Sequence, residues 1–187
     1  MKKILMTLAA CILMGGNLMA QSIVVYFSRA DENYSVVYIT EGNTAKVAKE
    51  IAAQTKSDIW EIKPAKLYPK DYNSCIKQAK DEQQKNARPE IAGEIPDLTK
   101  YDTIYLGTPN WWGDMPMCVY TFLDKVDLSK KNIKIFVTHE GSGASRIPDS
   151  VKKEEPNATV SKPLTIRGKT AQSDKASVEK YVKEWLK

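Results

Sequence analysis

The sequence predicts an α/β fold, a doubly wound parallel sheet with helices on both faces. Short segments rich in apolar, β-branched and aromatic residues alternate along the chain with segments whose apolar residues recur at helical spacing. The short segments are continuously apolar, which is typical of strands buried on both faces of a parallel sheet. The chain has 187 residues, no internal repeats and no linker rich in Pro, Gly or Ser, so we expect one domain.

The elements follow one another in a regular order. The predicted strands are residues 23–27, 58–62, 103–107, 133–137 and 159–166. The predicted helices are residues 44–54, 74–86, 117–125 and a last helix with the apolar stripe Val178, Val182, Trp185 and Leu186. Pro163 interrupts the fifth strand, and the helix over 74–86 is polar and expected to be exposed. Because such sheets bind ligands beyond the carboxyl ends of their strands, the loops after strands one, three and four are the candidate functional loops.

The N-terminus has the pattern of a secretory signal peptide. Two lysines precede a nearly all-apolar segment from Ile4 to Met14, and a small residue follows at Ala20. The apolar segment is shorter than the roughly 20 residues of a transmembrane helix. We therefore expect residues 1–20 to be removed, residues 21–187 to form the mature domain without a membrane span, and the protein to be exported, with the periplasm as its compartment. A lipoprotein signal acylated at Cys11 is the alternative, which the apolar residues after Cys11 disfavour.

Composition excludes several function classes. Without the two N-terminal lysines the formal charge falls from +5 to +3, and no basic stripe interleaves with aromatic residues, so we do not expect nucleic-acid binding. His139 is the one histidine, and the chain has three cysteines, so a histidine-rich metal site, a zinc ribbon and a disulfide framework are not expected. Cys75 and Cys118 remain after export, and we expect both to be free thiols that are buried or half-buried.

The loop after the first strand, from Ser28 to Thr44, ends in Gly42-Asn43-Thr44 at a helix start. Unpaired N–H groups and a partial positive charge at a helix N-terminus suit a phosphate. Gly42 permits a tight turn, and Asn43 or Thr44 can cap the helix or donate to an anion. An ordinary helix cap is the alternative. The chain shows neither a Walker lysine nor G-x-G-x-x-G, which disfavours a nucleoside triphosphate or a Rossmann dinucleotide.

The loop after the third strand contains two adjacent tryptophans, Trp111 and Trp112, followed by Gly113. Adjacent side chains point in different directions, so we do not expect both in the core, and a tryptophan at a functional edge can stack on a planar ring. Gly113 allows a close approach to a ligand or a change of peptide orientation. The alternative is one core tryptophan beside one that is partly exposed.

The loop after the fourth strand runs from Thr138 to Gly143. Its two glycines fit a close approach to a ligand or a simple turn. His139 has no nucleophile partner at a suitable spacing, and Gly141-Ser142-Gly143 lacks the spacing of G-x-S-x-G. We therefore predict no catalytic residue, and a hydrolase is the least favoured function class.

Together the three loops resemble those of flavodoxin-like flavoproteins. Residues 26–29 and 42–44 are similar to the phosphate loop of that family, commonly Y-F-S-x-T-G-N-T, while residues 107–113 resemble its ring-flanking loop and residues 138–143 its third loop. The resemblance extends from Ile23 to the C-terminus. It implies a five-stranded sheet in the order 2-1-3-4-5 and an FMN cofactor that supplies redox chemistry, which the protein orients and tunes.

The same resemblance implies a set of cofactor-binding residues. Those of the phosphate loop are Ser28, Arg29, Gly42, Asn43, Thr44 and Ala45, with Ser28 and the last three holding the phosphate. Those along one side of the isoalloxazine are Pro109, Asn110, Trp111, Trp112 and Gly113. Those near its pyrimidine edge are Glu140, Gly141, Ser142 and Gly143. A backbone group near Gly113 would favour one redox state by bonding the flavin N5 atom.

The sequence departs from the family pattern within the phosphate loop. Residues 30–41 are an insertion with three acids that would oppose a phosphate dianion unless they face outward, namely Asp31, Glu32 and Glu41. Its Tyr34 and Tyr38 would cover the ligand if the insertion acts as a lid, and a surface excursion is the alternative. The mature chain is also mildly basic, unlike the usually acidic flavodoxin carriers, which argues against a typical carrier with a basic partner.

These features favour an exported FMN-binding oxidoreductase or electron-transfer protein with an unidentified redox partner. A simple carrier and an NAD(P)H-dependent quinone or dye reductase both stay open. The competing class is a non-redox binding module that holds another phosphate ligand in the same pocket or has lost its cofactor. Export motivates this class, because a chain without a twin-arginine signal crosses the membrane unfolded and must acquire FMN afterwards.

Overall fold

The structure is a computed structural model that describes residues 21–34 and 37–187. The predicted signal peptide and Cys11 lie outside the described residues. The strands are β1 (Ser22–Tyr26), β2 (Asp31–Asn33), β3 (Val37–Ile39), β4 (Asp58–Glu61), β5 (Lys63–Pro64), β6 (Ile91–Ala92), β7 (Thr103–Pro109), β8 (Asn132–His139), β9 (Thr159–Val160) and β10 (Leu164–Arg167). The helices are α1 (Asn43–Thr55), α2 (Tyr72–Gln84), α3 (Met117–Leu123), α4 (Ile147–Glu154), α5 (Gly168–Ser173) and α6 (Lys175–Trp185).

The central sheet is parallel and confirms the predicted topology. Its strands lie in the order β4-β1-β7-β8-β10, so the strand that enters the sheet first along the chain has the second and third strands as its neighbours. This is the order 2-1-3-4-5. The strand order reverses beside β1, where the loop after β1 and the loop after β7 diverge and leave a crevice.

The fifth strand differs from its prediction. The segment 159–166 forms two short strands rather than one, because Pro163 lies between them and has no N–H group for the ladder. Both pair with β8: β9 lies opposite Asn132 and Ile133, and β10 lies opposite Phe136 to His139. The carboxyl-terminal half of β8 is therefore paired with β10, which continues into α5.

Alternate side chains of each strand enter two cores. Ile23 and Val25 of β1 pack with side chains of α2, α3 and α4 on one face, and Val24 packs with α1, α5 and α6 on the other. Gly107 of β7 leaves room for the ring of Phe136, its neighbour on β8, because a Cβ atom there would overlap that ring. Helices on both faces agree with the predicted doubly wound architecture.

Two small antiparallel strand pairs lie outside the central sheet: β2 and β3 form a hairpin in the insertion, and β5 pairs with β6 on either side of α2 in the chain. Helix α2 begins earlier than predicted, since Asp71 caps it by accepting a hydrogen bond from the Ser74 N–H. Within the described residues, none of the helices is both long and apolar enough to cross a membrane.

Candidate functional site

The three candidate loops meet at the carboxyl edge of the sheet and enclose one side of a cavity of about 350 Å³. Nine of the predicted cofactor-binding residues line it, namely Arg29, Asn43, Pro109, Asn110, Trp111, Trp112, Glu140, Gly141 and Ser142. The remaining lining residues are Asn33, Tyr34, Tyr72, Cys75, Ile76, Ala79, Thr138 and His139. The cavity therefore joins all three loops to the insertion and to helix α2.

Six predicted residues are not among those that line the cavity: Ser28, Gly42, Thr44, Ala45, Gly113 and Gly143. The Ser28 hydroxyl accepts a hydrogen bond of 3.0 Å from the Ala45 N–H. The hydroxyls of Thr44 and Thr138 lie 2.7 Å apart and are buried. These contacts attach the start of α1 to the end of β1 and to β8, so Ser28, Thr44 and Ala45 fix the position of the helix N-terminus.

One end of the cavity is the N-terminus of α1. Gly42 precedes the helix with an extended backbone, and a Cβ atom there would overlap the Ser28 hydroxyl and the Arg29 carbonyl. Glycine is thus required for this close packing, and it offers no side chain to cap the helix. The first N–H groups of a helix have no partner within it, and because the Ala45 N–H bonds to Ser28, the N–H groups suited to an anion are those of Asn43 and Thr44.

Asn110 organises the second loop. Its N–H donates to the Thr138 carbonyl over 2.8 Å, its side-chain amide donates to the Gly143 carbonyl over 2.8 Å, and its Oδ1 accepts from the Gly113 N–H over 3.0 Å. The turn itself closes through paired backbone hydrogen bonds between Trp111 and Asp114. Trp112 and Gly113 at its tip both have positive φ, 55° and 78°, which a turn of this kind requires.

The two tryptophans have different environments. Trp111 is partly buried and lies edge-to-face against Phe27 and Tyr68, with ring centroids 5.4 and 4.9 Å away. Trp112 is 46% exposed, donates its indole N–H to the Ile76 carbonyl over 2.9 Å and packs under the Lys80 ammonium. One tryptophan thus packs against the core and the other forms the rim, and both present surface to the cavity.

The buried carboxylate of Asp114 joins the second loop to the third. Its Oδ2 accepts hydrogen bonds from Arg146 Nε at 2.7 Å, from the Tyr120 hydroxyl at 2.9 Å and from the Ser150 hydroxyl at 3.2 Å. Its Oδ1 accepts from the Met115 N–H at 2.8 Å. Because Arg146 and Ser150 follow the third loop, this group holds the two loops at a fixed separation.

Arg29 attaches the insertion to the rest of the rim. One of its terminal nitrogens donates to the Glu32 carbonyl, and the other donates to the carbonyls of Pro69 and Lys70, each over 2.7 Å. The Glu32 carboxylate accepts from the Tyr72 N–H over 2.8 Å. The hairpin is thereby fixed beside the N-terminus of α2.

The insertion was expected to place tyrosines over the ligand and acids near the phosphate. Tyr34 lines the cavity and lies 6.0 Å from the Tyr72 ring, whereas Tyr38 is exposed and outside the cavity wall, so only one tyrosine is positioned to cover a ligand. The three acids of the insertion, Asp31, Glu32 and Glu41, are not part of the wall. Glu41 instead pairs with Lys49 at 2.5 Å.

The wall formed by α2 was missed at the sequence level. Tyr72, Cys75, Ile76 and Ala79 are spaced as one face of a helix, and this spacing is the signal that could have identified them. The helix is therefore not simply exposed, since Cys75 and Ala79 are buried. Burial raises the pKa of the Cys75 thiol to about 11, so the thiol is protonated at neutral pH.

The third loop brings an unusual pair of ionisable groups to the cavity. Burial and the neighbouring Arg167 guanidinium lower the pKa of His139, whose Nδ1 accepts from the Gly141 N–H over 2.9 Å. Burial raises the pKa of Glu140, with Arg167 opposing the rise. Both cysteines of the described residues are free thiols, in agreement with expectation.

The geometry is consistent with the comparisons with known proteins. A family model described as Flavodoxin matches residues 33–186. A candidate flavoprotein of Bacteroides eggerthii has 22% identity and a TM-score of 0.71, with 90% of this chain and 99% of that chain covered. One from Bacteroides uniformis has 25% identity and a TM-score of 0.70, with 88% and 98% covered.

A Lactobacillus acidophilus flavoprotein solved in complex with FMN has 22% identity and a TM-score of 0.66, with 90% of this chain and 100% of that chain covered. No curated protein matches the chain. The family model spans most of the sequence, including the start of α1 and the second and third loops, and it begins after Arg29 of the first loop. The chain belongs to the flavodoxin family.

Proposed function

We propose that this protein binds FMN in the cavity between its three loops and acts in electron transfer or as an FMN-dependent oxidoreductase. Membership of the flavodoxin family and the FMN complex of the Lactobacillus acidophilus flavoprotein support the cofactor. The observation that carries the proposal is the cavity itself, which combines a helix N-terminus at one end with two tryptophans and two tyrosines along its walls.

The residues present fit this group. The cavity volume of about 350 Å³ lies within the usual range for small-molecule and cofactor sites, about 300–1,000 Å³. Two side chains that line it, Arg29 and Glu140, each have a buried polar atom, Nε and Oε1, without a hydrogen-bond partner among the described residues. A ligand with a polar chain and a charged end would supply partners for such atoms.

The chain's own part in the activity is to bind, orient and shield. The N-terminus of α1 would hold the phosphate, and the aromatic walls would stack on or border the planar ring. The turn at Gly113 is held by its own hydrogen bonds, from the Gly113 N–H to Asn110 Oδ1 and from the Arg146 N–H to the Gly113 carbonyl. FMN, when bound, supplies the one- and two-electron chemistry.

A binding titration tests the proposal directly. Purified protein titrated with FMN is expected to quench flavin fluorescence and to become yellow with a stoichiometry of one. Protein that stays colourless and leaves FMN fluorescence unchanged would refute it and favour a non-redox binding module. Riboflavin and FMN compared in the same titration separate the contribution of the phosphate from that of the ring.

Stopped-flow mixing distinguishes an NAD(P)H-dependent reductase from an electron carrier. Rapid bleaching of the bound flavin by NADPH or NADH identifies a reductase, whereas bleaching only by a strong chemical reductant identifies a carrier. The same assay with a quinone or dye as acceptor then measures reoxidation. A reduced flavin that neither acceptor reoxidises would argue against the reductase.

We also propose that the protein is exported to the periplasm, because residues 1–20 have the three parts of a signal peptide. Expression of the full chain, followed by cell fractionation and mass measurement of the product, tests this. A periplasmic product that begins at Gln21 supports it. A cytoplasmic product that retains Met1 contradicts it, and a lipid-modified product that begins at Cys11 supports the lipoprotein alternative instead.

A further inference from the structure

We propose that His139 is a positioning residue of the FMN site: its neutral imidazole holds the Gly141 peptide of the third loop in place, so that the ligand binds to the protein in which His139 is unprotonated. The inference rests on the proposed function, because FMN is the ligand that reports it. It gives a role to the one histidine of the chain, for which the sequence predicts none.

The hydrogen bond between His139 and Gly141 fixes the state of the imidazole. The Gly141 N–H donates to His139 Nδ1 over 2.9 Å. Because a backbone N–H can only donate, Nδ1 must carry a lone pair, and the proton of the neutral ring lies on Nε2. Protonation of the ring would place a second N–H on Nδ1, facing the N–H of Gly141. The hydrogen bond is therefore present with the neutral ring and lost with the imidazolium.

The other hydrogen bonds that hold the tip of the third loop, residues 141–143, do not titrate. The Asn110 side-chain amide donates to the Gly143 carbonyl over 2.8 Å, and the Ser145 hydroxyl donates to the Ser142 carbonyl over 3.1 Å. Amide and hydroxyl groups keep the same charge throughout the pH range in which a histidine titrates. Among the described contacts of this tip, the bond to His139 is thus the one that acidification removes.

Gly141 can change its conformation once its N–H is released. Its φ is 133°, and a Cβ atom built there would meet nothing within 4 Å. Glycine populates positive and negative φ with little difference in energy, so one hydrogen bond is enough to decide between two orientations of its peptide. The acceptor on His139 therefore selects the backbone conformation at this point.

The peptide that His139 holds lies in the wall of the cavity. His139, Gly141 and Ser142 all line it. The Ser142 N–H follows directly in the chain and makes no hydrogen bond within the described residues. A backbone N–H on a cavity wall is suited to an acceptor on the ligand, such as a carbonyl oxygen of a flavin ring. Since a rotated Gly141 peptide would displace this donor, protonation of His139 and binding of the ligand oppose each other.

The surroundings of His139 favour the neutral ring. Burial, and the guanidinium of Arg167 opposite it on β10, lower the pKa of His139 below its usual value. Glu140, the next residue in the chain, carries the opposite charge and accepts a hydrogen bond from the Lys169 N–H of α5. The facing groups of the other elements keep one charge state between pH 5 and 8, namely charged Arg29 of the first loop and the neutral Asn43 of α1, Pro109 of β7, and Tyr72 and Cys75 of α2.

The test is the dissociation constant of FMN between pH 5 and 8, measured by flavin fluorescence for the wild type, His139→Asn and His139→Ala. Asn can accept from the N–H two residues further on through its Oδ1, as in an Asx-turn, and it does not titrate. Ala removes the acceptor at every pH. The second ionisation of the FMN phosphate, at about pH 6, affects all three proteins alike, so each constant is compared with its own value at pH 8.

The expected result is a steeper loss of affinity in the wild type than in either variant. On acidification the wild-type constant should rise more than that of His139→Asn, by up to about tenfold for each pH unit below the pKa of His139. His139→Ala should follow the shallow slope of His139→Asn and bind FMN more weakly than His139→Asn at pH 8. Equal slopes in the wild type and His139→Asn would overturn the inference while leaving FMN binding intact.

Proton NMR of the imidazole gives a second measurement that needs no variant. Because His139 is the one histidine, its ring signals can be followed without ambiguity. We expect the pKa of His139 to be lower in the FMN complex than in the free protein, since the complex requires the neutral ring. The same pKa with and without FMN would overturn the inference alone. Failure to bind FMN at every pH would overturn the proposed function together with it.

Discussion

Replacement of Asp114 by Asn is expected to separate the second and third loops at a measurable cost in stability. The side chain of Asp114 is 7% exposed, and its Oδ2 accepts hydrogen bonds from Arg146, Tyr120 and Ser150. Asn retains the oxygen that accepts from the Met115 N–H but places an NH₂ group where the three donors converge. The substitution therefore keeps the size of the side chain and removes only its charge and one acceptor.

The magnitude follows from the exposure of each donor. The buried hydrogen bond from Tyr120 to a charged acceptor contributes about 1.5–3 kcal/mol. Arg146 is 56% exposed and can be hydrated, so its loss costs at most about 1 kcal/mol. Ser150 bonds at 3.2 Å and can rotate toward another partner. We expect the free energy of unfolding to fall by about 2–3 kcal/mol.

Urea denaturation followed by tryptophan fluorescence measures this change. With a typical m-value of about 2 kcal/mol per molar, the midpoint is expected to fall by about 1 M urea. The matched control is Asp124→Asn, which breaks the ion pair of 2.5 Å with Arg88 at a site where Asp124 is 42% exposed, and should cost less than about 1 kcal/mol. Equal losses in the two variants would refute the argument from burial.

Three further changes test other parts of the molecule. Gly107→Ala places a methyl group against the Phe136 ring and is expected to lower the free energy of unfolding by about 1–3 kcal/mol in urea denaturation, and an unchanged midpoint would contradict that packing. Trp112→Ala should raise the dissociation constant of FMN about fivefold to tenfold in a fluorescence titration, since the ring borders the cavity, and an unchanged constant would remove Trp112 from the site. Burial raises the pKa of Glu155 to about 7, so the folded protein holds this proton more tightly than the unfolded chain does. The contribution of Glu155 to the stability of the fold is therefore lost as the pH rises from 4.5 to 7. Glu155→Gln should therefore be more stable than the wild type at pH 8, on the order of 1–2 kcal/mol, and equal at pH 4; equal stability at both pH values would contradict it.

The sheet and its order were predictable because they depend on short-range signals. Continuous apolar segments mark β1, β7 and β8, and the apolar stripe around Val178 and Val182 marks the last helix. The resemblance of the loops to a known family then supplied the strand order. Pro163 altered the fifth strand, because a single residue without an N–H divides a strand that composition alone makes continuous, and the short elements α4 and α5 were not predicted.

The site was less predictable, because several of its walls depend on contacts between distant parts of the chain. Helix α2 contributes Tyr72 and Ile76, and it is held there by contacts with distant residues: Trp112 donates to the Ile76 carbonyl, and Arg29 donates to the carbonyls of Pro69 and Lys70 before the helix. Likewise, Asp114 shows no motif that marks its burial. Such long-range hydrogen bonds have no periodic signature in a sequence.

The attachment of the insertion by Arg29 has a consequence for how the rim responds to its surroundings. A guanidinium stays charged at any physiological pH, and the carbonyls of Glu32, Pro69 and Lys70 that it bonds do not titrate. Acidification therefore leaves this attachment intact, unlike an ion pair with a carboxylate. The part of the rim that Arg29 holds would therefore keep its position as the pH of the surroundings changes.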